Sequence, residues 1–142
     1  MGRAEEGIRE GCLMPRFGNR STRELNTLHD DLKEVLNEAI KYFDFSVIEG
    51  YRDEDKQFKM VQEGHSKLAF PKSKHNRVPS LAVDIAPYPI DWEDTNRFSF
   101  FAGFIMGIAK QKGIELRWGG NWDRDEQMKE NKFNDLPHLE LL

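Results

Sequence analysis

Apolar residues along this chain recur at two spacings, and the switches between them mark out the elements. Leu32, Val35, Leu36, Ala39, Ile40 and Phe43 fall three and four apart, which predicts an amphipathic helix over residues 30–43. Residues 45–49 read as a short β-prone strand stopped by Gly50, and Phe58 and Val61 favour a partly exposed helix over 53–63. Leu81, Val83 and Ile85 alternate with Ala82, Asp84 and Ala86, as in a strand that buries one face and presents the other. Residues 97–112 predict an apolar helix in which Ala102, Gly103 and Gly107 allow close approach to the sheet, with Gly113 as its stop. A strand over 114–118, a mobile or weakly helical connection over 123–133 and a last strand over 139–142, beginning near His138, complete the order. Residues 64–80, rich in Pro, Ser and Lys, form a long loop; residues 1–20 form an irregular arm, and 21–142 a single domain. Helices interleaved with short strands predict an α+β fold with a mainly antiparallel sheet and packed helices.

Composition narrows the function. The 142 residues suffice for one domain with a real core. A net charge of −4 argues against a general nucleic-acid binder. Locally the balance reverses: residues 64–83 carry Lys67, Lys72, Lys74 and Arg77 and no acidic residue, which suits an anionic substrate or a solvated surface loop. Cys12 is the only cysteine, so an intramolecular disulfide and a thiolate zinc cluster are excluded, as suits synthesis in a reducing compartment. The first residues are charged throughout and do not resemble a signal peptide; Met14 is an alternative natural start. Residues 98–109 are too short to span a bilayer.

Among four histidines, His75 and His138 stand near carboxylates in short segments. Together with Asp84 they make a plausible ligand set for a catalytic zinc with one position left open. Asp84 interrupts an apolar strand, where an ionised carboxylate needs a cation, a metal or a salt bridge to balance it. In a strand His138 and Glu140 share a face, so Glu140 could orient the imidazole, ligate, or stand as a surface carboxylate. Asp135, three positions before His138, could take a proton from a metal-bound water or belong to an ordinary turn. Arg52 could bind a substrate carboxylate or oxyanion, or pair with Asp53, Glu54 or Asp55. In Trp118-Gly119-Gly120-Asn121-Trp122 the indoles could line a cleft or cap the core. His29 and His65 carry no assignment. No His-Glu-x-x-His helix, phosphate-binding loop or Gly-x-Ser-x-Gly elbow is present.

Several segments in order resemble the zinc D-alanyl-D-alanine carboxypeptidase and L-alanyl-D-glutamate peptidase family, and within it bacteriophage endolysins of the endopeptidase type. These are Ile48-Glu49-Gly50-Tyr51-Arg52 with Gln57, Ser73-Lys74-His75, Ala82-Val83-Asp84, Arg117–Trp122 and Asp135-Leu136-Pro137-His138-Leu139-Glu140. The His75–Asp84 connection is longer than the commoner family pattern and lacks its glycine. The resemblance implies a compact hedgehog/DD-peptidase-like domain with one zinc held by His75, Asp84 and His138. It makes Asp135 the general base and later the general acid, and puts Arg52 and Ser73 at the substrate, with Trp118 beside them. Gln57 and Glu140 take supporting places. It further implies cleavage of the L-Ala–D-Glu bond in peptidoglycan stem peptides by a monomer, with no nucleic acid involved. Synthesis would be in the cytoplasm of an infected bacterium, with access to the wall through a separate, holin-like membrane lesion. A D-Ala-D-Ala carboxypeptidase, a noncatalytic peptidoglycan-binding protein, and a metal nuclease using Asp84, His138 and Glu140 are the alternatives.

Overall fold

The computed structural model describes residues 15–122, 124 and 135–142. Its elements in chain order are α1 (Asn19–Leu25), α2 (Asp30–Ala39), β1 (Phe45–Glu49), α3 (Glu54–Gln62), a 3₁₀ turn (Lys74–Asn76), β2 (Ala82–Pro87), α4 (Thr95–Gln111), β3 (Leu116–Trp118) and β4 (His138–Leu141). The strands form one sheet in the order β1-β2-β4-β3, antiparallel at every pairing, so the fold is α+β as expected.

Helix α2 buries Leu32, Val35, Leu36 and Ala39, the stripe its periodicity predicts, in the hydrophobic core, where it packs against α4. Its start is capped by His29, whose Nδ1 accepts the Asp31 N–H at 3.0 Å. Helix α4 buries Phe98, Phe101, Ala102, Ile105 and Ala109, and Gly113 at φ +74° ends it. The expected role of Gly103 and Gly107 fails: a Cβ at either would meet nothing within 4 Å, so both face outward and Ala102 and Ala109 make the close contacts. Helix α2 stops at Ala39, with turns carrying the chain to Phe43, and β3 begins at Leu116, later than expected. Helix α1, which lacks an obvious apolar stripe, was not expected; Ser21 is buried and its Oγ accepts the Val47 N–H at 3.0 Å, anchoring the helix to β1. The expected connection over 123–133 lies outside the described residues, Arg124 excepted.

Register decides which side chains meet. On one face Val47, Val83, Ile85, Leu116, Trp118, Leu139 and Leu141 enter the core. On the other, Asp84 stands directly opposite His138, and Ala82 opposite Glu140, itself opposite Arg117. In β1 the pairing slips between Val47 and Glu49, so that Glu49 rather than Ile48 faces Asp84. Directly opposed residues project to the same side of an antiparallel sheet, so the irregularity swings Glu49 onto the polar face. Glu49, Asp84 and His138 thus form one cross-strand row.

Candidate metal centre and its cavity

His75 comes to this row from the long loop, and local hydrogen bonding fixes it there. Ser73 caps the 3₁₀ turn: its Oγ accepts the His75 N–H at 3.2 Å, while Asn76 Oδ1 accepts the Ser73 N–H at 3.1 Å. The His75 carbonyl accepts the Arg52 N–H at 2.8 Å. Its ring Nδ1 lies 2.7 Å from the Gly50 carbonyl, which can only accept, so Nδ1 carries the proton and Nε2 points into the site. Gly50 has to be glycine, because a Cβ would lie 2.2 Å from Thr27 Oγ1 and 2.8 Å from the Glu24 carbonyl. Glu24 Oε1 in turn accepts the Gly50 N–H at 2.9 Å, so the unexpected helix α1 supports a hydrogen-bond partner of His75.

His138 is held from its far side in the same manner. Its Nε2 donates to Glu140 Oε1 at 2.9 Å, leaving Nδ1 toward Asp84. Three donor atoms then converge: His75 Nε2 to Asp84 Oδ1 is 3.4 Å, His138 Nδ1 to Asp84 Oδ1 3.3 Å, and His75 Nε2 to His138 Nδ1 3.3 Å. A tetrahedral ion with ligand bonds of about 2.0–2.1 Å has edges of about 3.3–3.4 Å. The triangle therefore has the dimensions of one face of such a coordination shell. Two imidazoles and a carboxylate, each imidazole oriented by a partner on its other nitrogen, fit a divalent metal ion.

Charge follows the geometry. Burial alone would raise Asp84, but the charge of His75 and hydrogen bonds from His138 and His75 hold its carboxyl well below the usual range. Burial disfavours the charged form of His138, yet its bonds to Asp84 and Glu140 push it up to about 9. Glu140 is lowered, its burial outweighed by the hydrogen bond to His138 and by the charges of His138, Lys74 and Arg117.

Arg52 does not pair with Asp53, Glu54 or Asp55. It is buried, with Nε and Nη2 donating to Glu49 Oε1 at 3.0 and 2.6 Å and Nη2 lying 3.9 Å from Asp84 Oδ2. Its Nη1 donates at 2.9 Å to Gln57, whose amide is fully used: Oε1 also accepts from Asn76, and Nε2 donates to Ser66 Oγ and the Leu68 carbonyl. Asp53 instead caps α3, accepting the Lys56 N–H at 2.9 Å.

Asp135 lies on the cavity wall, and its carboxyl is raised by burial and by the neighbouring charge of Asp84. The backbone places it: its N–H donates to the Gly119 carbonyl at 2.9 Å, and the Gly119 N–H donates to the His138 carbonyl at 2.8 Å. A Cβ on Gly119 would lie 1.9 Å from the Asp135 carbonyl oxygen, so this approach requires glycine. The placement of Trp118 corrects the expectation that it meets substrate. Its indole is in the core, with Nε1 donating to the Leu136 carbonyl at 2.7 Å, because its position in β3 shares the face of Leu139.

A cavity of about 770 Å³ opens over the cluster, walled by Arg52, Ser73, Asp135 and Trp122, with Lys67, Lys72, Lys74 and Arg117 adding positive charge. Trp122 packs on His138, ring centroids 5.4 Å apart. Sequence reasoning missed Glu49, Asn76 and the Gly50 carbonyl. Of these only Asn76 left a local signal, the Ser-x-x-Asn spacing from Ser73 that resembles a capping box.

The sequence profile of the family described as phage L-alanyl-D-glutamate peptidase matches residues 13–142. The L-alanyl-D-glutamate peptidase of Escherichia phage T5 is 31% identical over 137 residues, covering 89% of this chain and 98% of that protein. The crystal structure of the Serratia marcescens L-Ala D-Glu endopeptidase ChiX is similar at a TM-score of 0.70 and 29% identity, covering 100% of this chain and 96% of that one. With a match spanning nearly its whole length, the chain belongs to the phage L-alanyl-D-glutamate peptidase family.

Proposed function

We propose that this protein is a zinc-dependent endopeptidase that hydrolyses the L-Ala–D-Glu bond of peptidoglycan stem peptides. The observation that carries the reading is the triangle of donor atoms, 3.3, 3.3 and 3.4 Å on its sides, at the floor of the cavity. Membership of a family described by that activity supplies the bond. His75 through Nε2, Asp84 through its carboxylate and His138 through Nδ1 would hold the zinc. When bound, the ion supplies a Lewis acid that polarises the scissile carbonyl and lowers the pKa of a water.

The chain's own groups do the rest. Asp135, with its raised carboxyl on the cavity wall, takes the proton that the attacking water loses and returns it to the departing amine. Arg52 faces the cavity and sits 3.9 Å from Asp84 Oδ2 while Glu49 and Gln57 hold its guanidinium. From there it keeps positive charge beside the carboxylate and the developing oxyanion. Ser73 lines the cavity beside the turn it caps. Among the described residues no helix is long and apolar enough to cross a membrane. Under this reading the monomer acts at the wall once a separate protein has opened the membrane, and causes lysis.

Mass analysis of products from defined murein, with and without zinc, tests the proposal. The expected product pair is a new N-terminus at D-Glu and a glycan-bound stem ending in L-Ala, formed only with metal. Loss of one terminal D-Ala would select the carboxypeptidase instead. No fragments from a zinc-loaded protein would leave a binding protein.

A further inference from the structure

Trp92 has no part in the chemistry above, and its setting is unusual. The residue is 56% exposed and walls the same cavity as His75, Asp84 and His138. One face lies stacked on Phe98, ring centroids 5.5 Å apart and 21° from parallel, and Phe98 is itself buried in α4. The segment carrying it is pinned. Arg97 donates through Nη1 and Nη2 to the Pro89 and Tyr88 carbonyls at 2.9 and 2.7 Å, and Asp94 caps α4 by accepting the Arg97 N–H at 3.1 Å. The Asp94 N–H donates to the Asp91 carbonyl at 3.1 Å. The result is a flat aromatic plate, backed on one side and held at the cavity rim.

We infer that this plate binds the glycan: the Trp92 indole stacks on a pyranose ring of the peptidoglycan strand while the stem peptide crosses the His75–Asp84–His138 cluster. The inference rests on the proposed L-Ala–D-Glu activity. Around that bond the peptide offers a methyl group and carboxylates, nothing that matches a ring burying about 150–250 Å². A pyranose does match, because its axial C–H groups present positive edges to the negative face of the indole. L-Ala is the residue joined to the glycan, so a sugar is the next group beyond the acyl side of the bond. The cavity's 770 Å³ sits in the upper part of the range of about 300–1,000 Å³ usual for ligand pockets, leaving room beyond the scissile dipeptide.

The test compares kcat/KM of the zinc-loaded enzyme on a disaccharide-bearing stem peptide and on the same peptide with its L-Ala amine acetylated instead. Wild type should prefer the glycan-bearing substrate by roughly five- to tenfold, the magnitude of one aromatic contact. Trp92→Ala and Trp92→Leu should abolish that preference while cleaving the acetylated peptide at the wild-type rate, and Trp92→Tyr should keep most of it. Equal rates on both substrates in wild type would overturn the inference, and so would a Trp92→Ala loss shared equally by the two. Failure of wild type to cut either substrate would instead refute the underlying peptidase reading.

Discussion

The floor and the rim of the cavity are built on different principles. On the floor, Asp84 and His138 stand opposite each other in paired strands, and each histidine has its second nitrogen tied, His75 to the Gly50 carbonyl and His138 to Glu140. At the rim, Lys72, Trp92 and the Ser66–Leu68 segment sit on loops, exposed or half-exposed, outside any strand. The floor is over-determined and the rim is tethered at a few points. That division suits an enzyme whose chemistry demands ligand positions good to about 0.5 Å while its substrate contacts vary with loop shape.

Changes on the floor should therefore be the costliest. Replacing His75, Asp84 or His138 by Ala should abolish stoichiometric zinc and lower turnover by at least about 10³-fold, checked by metal analysis beside activity. A variant that keeps full zinc removes that residue from the ligand set. Asp135→Asn should keep zinc and melting temperature but lose about 10²–10⁴-fold in kcat, since an amide cannot cycle a proton. Gly119→Ala probes the same carboxylate from behind. Its Cβ would meet the Asp135 carbonyl at 1.9 Å, so kcat should fall with zinc retained. Unchanged kcat would mean that Asp135 need not be held by this approach.

Glu140→Gln should act more mildly, weakening zinc affinity about 10–100-fold because it removes the charged partner of His138 Nε2. If Glu140→Gln proved more damaging to zinc-saturated turnover than Asp135→Asn, their roles would be exchanged.

On the proposed reading, protons compete with metal on this floor. His138 is raised from 6.5 to about 9 without an ion, so its charged form stabilises the metal-free fold fully below about pH 6.5, and that contribution is lost as pH rises through 9. The melting temperature of the metal-free protein should accordingly fall across that window. Zinc binding must release this proton, so affinity should strengthen by up to about tenfold per pH unit below 9, with proton release visible in calorimetry run in two buffers. A pH-independent affinity would contradict the assigned protonation.

The rim should answer least. Lys72→Ala should raise KM a few-fold at low salt and much less at high salt, leaving kcat alone. An equal effect at both salt concentrations would remove the steering role.

The contrast also explains what could be read from the residues alone. The α2 stripe, the alternation in β2, the stop at Gly113 and the shared face of His138 and Glu140 all depend on local spacing, and local spacing was enough. Helix α1 was missed because Leu25 is its one apolar residue and the rest of its hold on the fold is polar, through Ser21 to Val47 and Glu24 to Gly50, so no hydrophobic period announces it. Glu49 depends on the pairing slip after Val47, a property of two strands together. Trp118 and Trp122 share one motif yet part ways, because β3 turns the first into the core and ends before the second. Trp92 carries no signal except in the company of Phe98 and the cavity. Most of these misses turn on contacts between segments distant in the chain, and of the missed residues Trp92 alone lines the cavity itself.

The central claim is that the pre-set triangle of donors holds the catalytic ion, and a zinc-loaded crystal structure with anomalous data at the zinc edge tests it directly. One peak should lie about 2.0–2.2 Å from His75 Nε2, His138 Nδ1 and an Asp84 carboxylate oxygen, with the other ring nitrogens still bonded to the Gly50 carbonyl and Glu140. A peak elsewhere, or ligation through His138 Nε2 with the Glu140 bond broken, would contradict the account.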